Sequence, residues 1–162
     1  GRTSRSHFGS RVSRLRLDPT ANPHAMSDEE IEMPAWISPM ADPLIGDKLL
    51  SRSLKLIKKA KEEKSLRRGV PETCKALRKD QKGLVFLAAD VFPLDVMAHV
   101  PVCCEEKDVA YAYVPSRTLL GKACQSGRPA SVLMVMAPKK DSTYAKTYEQ
   151  VEKGMRQVHP YM

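Results

Sequence analysis

The chain has 162 residues, a hydrophobic share of 42% and a formal net charge of +8, which suits one folded domain with tails rather than two domains. No apolar run approaches the roughly 18 residues that a membrane-spanning helix requires, and no apolar stretch in the first 25 residues has the make-up of a secretory signal. The charge is concentrated: between Lys48 and Lys82, 13 Lys and Arg face 4 Asp and Glu, while the remainder of the chain sums to −1, an electrostatic footprint for nucleic acid or another anionic surface rather than for a neutral partner.

Residues 1–25 carry Arg2, Arg5, Arg11, Arg14 and Arg16 with only Asp18 as an acid, a composition like that of a mitochondrial leader. Pro19, Pro23 and the lack of apolar periodicity argue against a targeting helix, and Met26-Ser27-Asp28-Glu29-Glu30 looks like a natural start. The favoured reading is a vector remnant or an over-extended gene model. Residues 27–43, acidic and then punctuated by Pro34, Pro39 and Pro43, read as a disordered continuation, so that 1–43 form an extension and 44–162 a single domain.

From Leu44 onward, Leu50, Leu54, Ile57 and Ala60 recur at helical spacing among Lys55, Lys58, Lys59 and Lys61, predicting an amphipathic helix with a basic outer face. Leu66 to Arg68 is a short strand-like segment leading to Gly69, and Pro71 at a first helical position opens a helix to about Lys79. Gly83 to Ala89 is a continuous apolar run, as expected of a strand buried on both faces. After the Asp90–Pro93 loop a helical region is interrupted at Pro101, which is expected to open a second piece through Cys104-Glu105-Glu106. Val109 to Val114 is the next strand. Ser116 is placed to cap a helix that buries Leu119, Leu120, Ala123 and Cys124. A loop over Gln125–Pro129 precedes a strand over Ser131–Ala137, and Tyr144, Tyr148, Val151, Met155 and Val158 define a terminal amphipathic helix. The alternation of strands and helices predicts an α/β domain, a three-layer α/β/α sandwich with a mixed central sheet.

The segment with most chemistry is Lys64-Ser65-Leu66-Arg67-Arg68-Gly69-Val70-Pro71-Glu72-Thr73-Cys74-Lys75-Ala76-Leu77. A helix start offers unpaired backbone N–H groups and a partial positive charge, and cations beside it suit a phosphate backbone. A glutamate in the first turn can accept hydrogen bonds from base edges while lysines hold phosphates. The plain alternative for Glu72 is a carboxylate stabilised by the helix dipole, and for Arg67, Arg68, Lys75, Lys79 and Lys82 a solvated charge. Phe92, in the Asp90–Pro93 loop, reads either as a stacking platform or as a core plug. His99, in an apolar helical stretch, reads as a core histidine. Cys74, Cys103, Cys104 and Cys124 show no metal-ligand spacing and read as reduced, structural thiols. No histidine–cysteine–acid set, phosphate-binding glycine loop or dinucleotide fingerprint is present, so neither an enzyme nor a cofactor is expected.

Taken in order, Arg67-Arg68-Gly69-Val70, Glu72, Lys75-Ala76-Leu77, Gly83-Leu84-Val85, Ala89-Asp90, Ala98-His99-Val100-Pro101-Val102, Cys104-Glu105-Glu106, Tyr113-Val114-Pro115-Ser116, Leu120-Gly121 and Arg128-Pro129 make the chain resemble the kink-turn-binding ribosomal protein family of archaea and eukaryotes over about Leu49 to Val158. The resemblance implies RNA contact through Gly69 with Val70, Glu72, Lys75, Lys79 and the preceding arginines, together with Phe92 and the Arg128-Pro129 loop, and places Cys74 in a buried helix position. The family pattern Gly-x-Asn-Glu-x-x-Lys is matched at Gly69, Glu72 and Lys75 but not at Pro71, which stands where the Asn would be. Phe92 stands where box C/D kink-turn readers carry a glutamate. These departures imply the box H/ACA branch: non-catalytic, nucleolar subunits that bind guide RNA with low specificity beside a pseudouridine synthase subunit and a small bridging protein, in particles that pseudouridylate ribosomal RNA. The helical region Asp95–Glu106 and the strand after it are the candidate docking face for the bridging protein. A kink-turn reader of the ribosome or a box C/D particle is the alternative, and a protein-interaction member without RNA a third. No membrane partner is implied.

Overall fold

A computed structural model of the protein describes residues 36–139 and 142–159; the expectations on residues 1–25 fall outside them. The domain opens with helix α1 (Asp47–Glu62), followed by strand β1 (Leu66–Arg68), helix α2 (Val70–Arg78) and strand β2 (Gly83–Ala88). A single 3₁₀ turn (Leu94–Val96) leads to helix α3 (His99–Glu106), strand β3 (Tyr111–Val114), helix α4 (Arg117–Ala123), strand β4 (Val132–Met136) and helix α5 (Ala145–Val158).

The sheet has the order β1-β4-β2-β3. The pairs β1–β4 and β4–β2 are antiparallel and β2–β3 is parallel, so the sheet is mixed, as the alternation of elements predicts. Helix α1 packs on β1 and β4 together with α4 and α5, while α2 packs on the same two strands together with α3. The sheet is thus enclosed between two helical layers, and β2 and β3 are buried along their whole length. A strand covered on both faces has no polar side to show, which is why Gly83–Ala88 reads as an unbroken apolar run. The interior is built on Leu50, Leu56, Ile57, Phe86, Leu87, Leu120, Leu133 and Met134, with Tyr144 closing it from the α5 side.

Several local expectations shift. In α1 the buried residues are Leu50, Ser53, Leu56, Ile57 and Ala60, while Leu54 is half-buried; Ser53 is admitted to the core because its hydroxyl donates to the Leu49 carbonyl at 2.9 Å, as a buried hydroxyl requires. Helix α3 begins at His99, two residues before Pro101, which its first turn accommodates because those N–H groups have no intrahelical partner. Strand β3 starts at Tyr111 rather than Val109, although Val109 and Ala110 remain buried. Val158, expected on the buried stripe, is exposed.

Residues 36–43, expected within the N-terminal extension, lie against the domain. The Ser38 N–H donates to the Ala89 carbonyl at 2.8 Å and Ser38 is buried. The segment then runs along β3: Tyr113 N–H donates to Pro43 O at 3.0 Å and Ile45 N–H to Tyr113 O at 2.9 Å, forming a parallel bridge between Leu44 and Tyr113. The outer edge of β3, which the sequence offered as part of a docking face, is therefore already paired at Tyr113.

The loop before α5 is pinned to the end of α1. Thr143 donates its backbone N–H and its hydroxyl to Glu63 Oε1 at 2.8 and 2.6 Å, and the hydroxyl bond is the main reason the carboxyl titrates below its ordinary value. Because the folded-state pKa is depressed, the stabilisation exists above the unfolded pKa of about 4.3 and is lost as pH falls through the lower folded value. A Thr143→Val variant is expected to unfold at lower urea than the wild type near neutral pH, with the gap narrowing in acid. A gap unchanged between pH 7 and pH 3 would count against the linkage.

Candidate nucleic-acid interface

The sheet register collects the sequence-predicted residues. Arg68 is opposite Leu133, Leu87 opposite Val132 and Ala88 opposite Val114. The C-terminal ends of β1, β2 and β3 and the N-terminal end of β4 therefore share one end of the sheet. Gly69, the Ala89–Pro93 loop and the Gln125–Pro129 loop all emerge there.

Gly69 makes the turn from strand to helix with φ 93° and ψ 159°, a conformation essentially reserved for glycine. Its N–H donates to Val132 O at 2.8 Å and its carbonyl accepts from Thr73 N–H at 3.1 Å. No side chain caps α2, and Pro71 has no N–H to offer, so Val70 and Glu72 supply the first-turn donors. Glu72, Lys75 and Lys79 follow at i, i+3 and i+7 on one exposed face. With Arg67 from β1, Ala76 and Gln81 they line a hollow of about 200 Å³. Four of the sequence-predicted contacts are thus neighbours.

Arg67 also borders a second hollow of about 540 Å³, lined by Lys61, Lys64, Leu66, Arg68, Cys124, Gln125 and Ser126. In the sequence, Lys61 falls on the basic outer face of α1 and Lys64 at the start of the basic segment, and neither is expected as an RNA contact. Both lie inside its most basic window, but helical periodicity alone does not show that the end of α1 stands beside the 125–129 loop.

Arg68 does not face the α2 side. Its guanidinium donates to Ser126 Oγ at 2.6 Å and to the carbonyls of Arg128 and Pro129 at 2.9 and 3.2 Å. Arg128 and Pro129 themselves are exposed. Lys82 is tied away from this end, donating to Lys107 O at 2.9 Å.

Phe92 is 79% exposed, which excludes the core-plug reading, and meets Trp36 edge to face with ring centroids 6.1 Å apart. Trp36, itself 43% exposed, is the chain's single tryptophan and sits in the segment read as disordered, so its partner was invisible in the sequence. Asp90 serves α4: its carboxylate accepts from Arg117 N–H at 2.8 Å and from the Ser116 hydroxyl at 3.3 Å, while Ser116 caps the helix as expected by accepting from Thr118 N–H.

The histidine and cysteine expectations change in detail. His99 is exposed rather than a core residue, and its Nε2 lies 3.3 Å from Cys74 Sγ. Cys74 is half-buried, and Thr73 takes the buried place in α2 instead. Burial pushes the Cys74 and Cys124 thiols up and the Cys104 thiol up to about 12, so all three are protonated at neutral pH and poor nucleophiles. Among the described residues no group of His, Cys, Asp and Glu has the arrangement of a metal site, and no helix is long and apolar enough to cross a membrane.

Fold and site together define an α/β/α sandwich that presents a glycine-led helix start and a basic rim at one end of a mixed sheet. The profile of the ribosomal protein L7Ae/L30e/S12e/Gadd45 family matches residues 51–145, and the chain belongs to that family. It is 39% identical to the H/ACA ribonucleoprotein complex subunit 2-like protein of Xenopus tropicalis, over 79% of this chain and 84% of that one. It is 35% identical to the H/ACA ribonucleoprotein complex subunit 2 of Bos taurus, over 93% of this chain and all of that one. Among solved structures, the Giardia lamblia 15.5kD RNA binding protein superimposes with a TM-score of 0.70 at 28% identity, covering 75% of this chain and 99% of the other.

Proposed function

We propose that the protein is a non-catalytic, RNA-binding subunit of a box H/ACA ribonucleoprotein, holding the guide RNA so that its substrate uridine reaches a pseudouridine synthase. The observation that carries the reading is the basic face of α2, where Glu72, Lys75 and Lys79 share one hollow with Arg67 of β1, in a chain at least 35% identical to proteins named as H/ACA subunits. Lys75, Lys79 and Arg67 take phosphates, and Val70 and Glu72 add the N–H groups of the helix start. Phosphate contacts supply most of the affinity. The major groove of A-form RNA is too narrow for side chains, so what specificity remains falls to unpaired nucleotides. Glu72 accepts from their edges, Phe92 offers a ring face, and Arg128 and Pro129 close the far side of the contact. The partners are the guide RNA, the synthase subunit and a small bridging subunit, and the setting is the nucleolus.

Crosslinking of the tagged protein in cells, with sequencing of the attached RNA, tests this. Enrichment of hairpin–hinge–hairpin RNAs ending in an ACA box is the expected result. Enrichment of box C/D or large-subunit ribosomal RNA instead would replace it with the kink-turn reading.

A further inference from the structure

Arg68 and the Gln125–Pro129 loop are about 60 residues apart in sequence, yet the guanidinium spans three acceptors on that loop, the Ser126 hydroxyl and the carbonyls of Arg128 and Pro129. Lys61 Nζ adds a bond to Gln125 O at 3.2 Å. The loop is held from its other side as well. Ser126 N–H donates to Gly121 O and Ala130 N–H to Arg117 O, each at 3.1 Å. At Gly121 a Cβ would lie 2.7 Å from Arg128 O and 3.0 Å from Pro129 Cα, so α4 approaches this backbone as closely as glycine permits.

We propose that Arg68 is a positioning residue, which locks the 125–129 loop in the shape that presents Arg128 to RNA, and is not itself an RNA contact. The inference rests on the RNA-binding reading above. Without these bonds, a loop containing Gly127 would have much freedom to lose on binding. Ordering it beforehand removes that cost from the association step. The planar fork of arginine suits the task because it fixes several acceptors at once, whereas lysine is a single mobile point charge.

The test uses the full chain, a transcribed RNA hairpin with an unpaired loop, and binding measured by fluorescence anisotropy across a salt series. Arg128→Ala is expected to weaken binding by roughly tenfold, as for a lost charged hydrogen bond, and to reduce the salt slope by about one. Arg68→Ala is expected to cost about as much alone and almost nothing in the Arg128→Ala background, a non-additivity that marks two residues acting as a unit. Arg68→Lys should behave like Arg68→Ala, because the charge is kept and the fork is lost. Without RNA, the amides of Ser126, Arg128 and Ala130 should exchange hydrogen faster in both Arg68 variants, with the rest of the domain unchanged. If Arg68→Ala and Arg128→Ala instead add fully, each lowering the slope, Arg68 is a direct phosphate contact and the proposal fails while the RNA reading stands. Unchanged loop exchange also overturns it. A wild-type chain that binds no hairpin overturns both.

Discussion

Replacing Lys75 and Lys79 together with alanine is expected to weaken hairpin RNA binding on the order of 10- to 100-fold near 0.1 M salt and to reduce the slope of log affinity against log salt by about two. Both side chains are exposed on one face of α2 and share a hollow with Arg67 and Glu72. Their removal exposes no core, since the buried side of α2 is carried by Thr73, Ala76 and Leu77. Each phosphate contact releases bound counterions, so the loss should be largest at low salt and alike for different RNA sequences. Anisotropy at several salt concentrations measures both quantities. An unchanged slope would mean that RNA, if bound, runs elsewhere on the molecule, and would remove these lysines from the interface.

The second large effect is a gain. Pro71→Asn should raise affinity for a kink-turn RNA by tenfold or more while leaving a simple hairpin almost unaffected. Proline at this point of α2 supplies neither an amide side chain nor a backbone N–H, whereas an asparagine two residues after Gly69 restores a reader that can bond two atoms of one base. Such a contact is worth about 1–3 kcal/mol of discrimination. Proline is favourable at a helix start, so a small loss of thermal stability should accompany the gain. Parallel titrations with a kink-turn and a length-matched hairpin would show the contrast. Equal affinities before and after substitution would mean that kink-turn recognition does not turn on this position.

How much of this was legible in the sequence depended on the range of the interaction. The strands and the starts of α2 and α4 could be read because each leaves a local mark: the apolar run of β2, Gly69 before Pro71, and Ser116 before α4. Leu54 was misplaced and Leu56 missed because the apolar stripe of α1 is wide and its inner limit is drawn by packing against other helices. His99 seemed to belong to the core because its neighbours are apolar, but α3 is short and turns it outward. Glu72, Lys75 and Lys79 were found together since helical spacing alone makes them neighbours. Arg68 was legible as a cation and not as a clamp, because every acceptor it reaches lies in a distant loop. Trp36 escaped for the same reason: nothing near it in sequence announces Phe92.

The covered edge of β3 has a consequence for the molecule in solution. An unpaired outer strand is a template on which a second chain can add, and sheets left open in this way tend to associate. Here residues 43–45 occupy that position on one side, with backbone bonds to Tyr113. On the other side β1 is only three residues long and ends in two exposed arginines, which repel a like copy. Both edges of the sheet therefore offer little backbone for edge-to-edge pairing with a second copy, and the loops at the Gly69 end are left clear of such a contact.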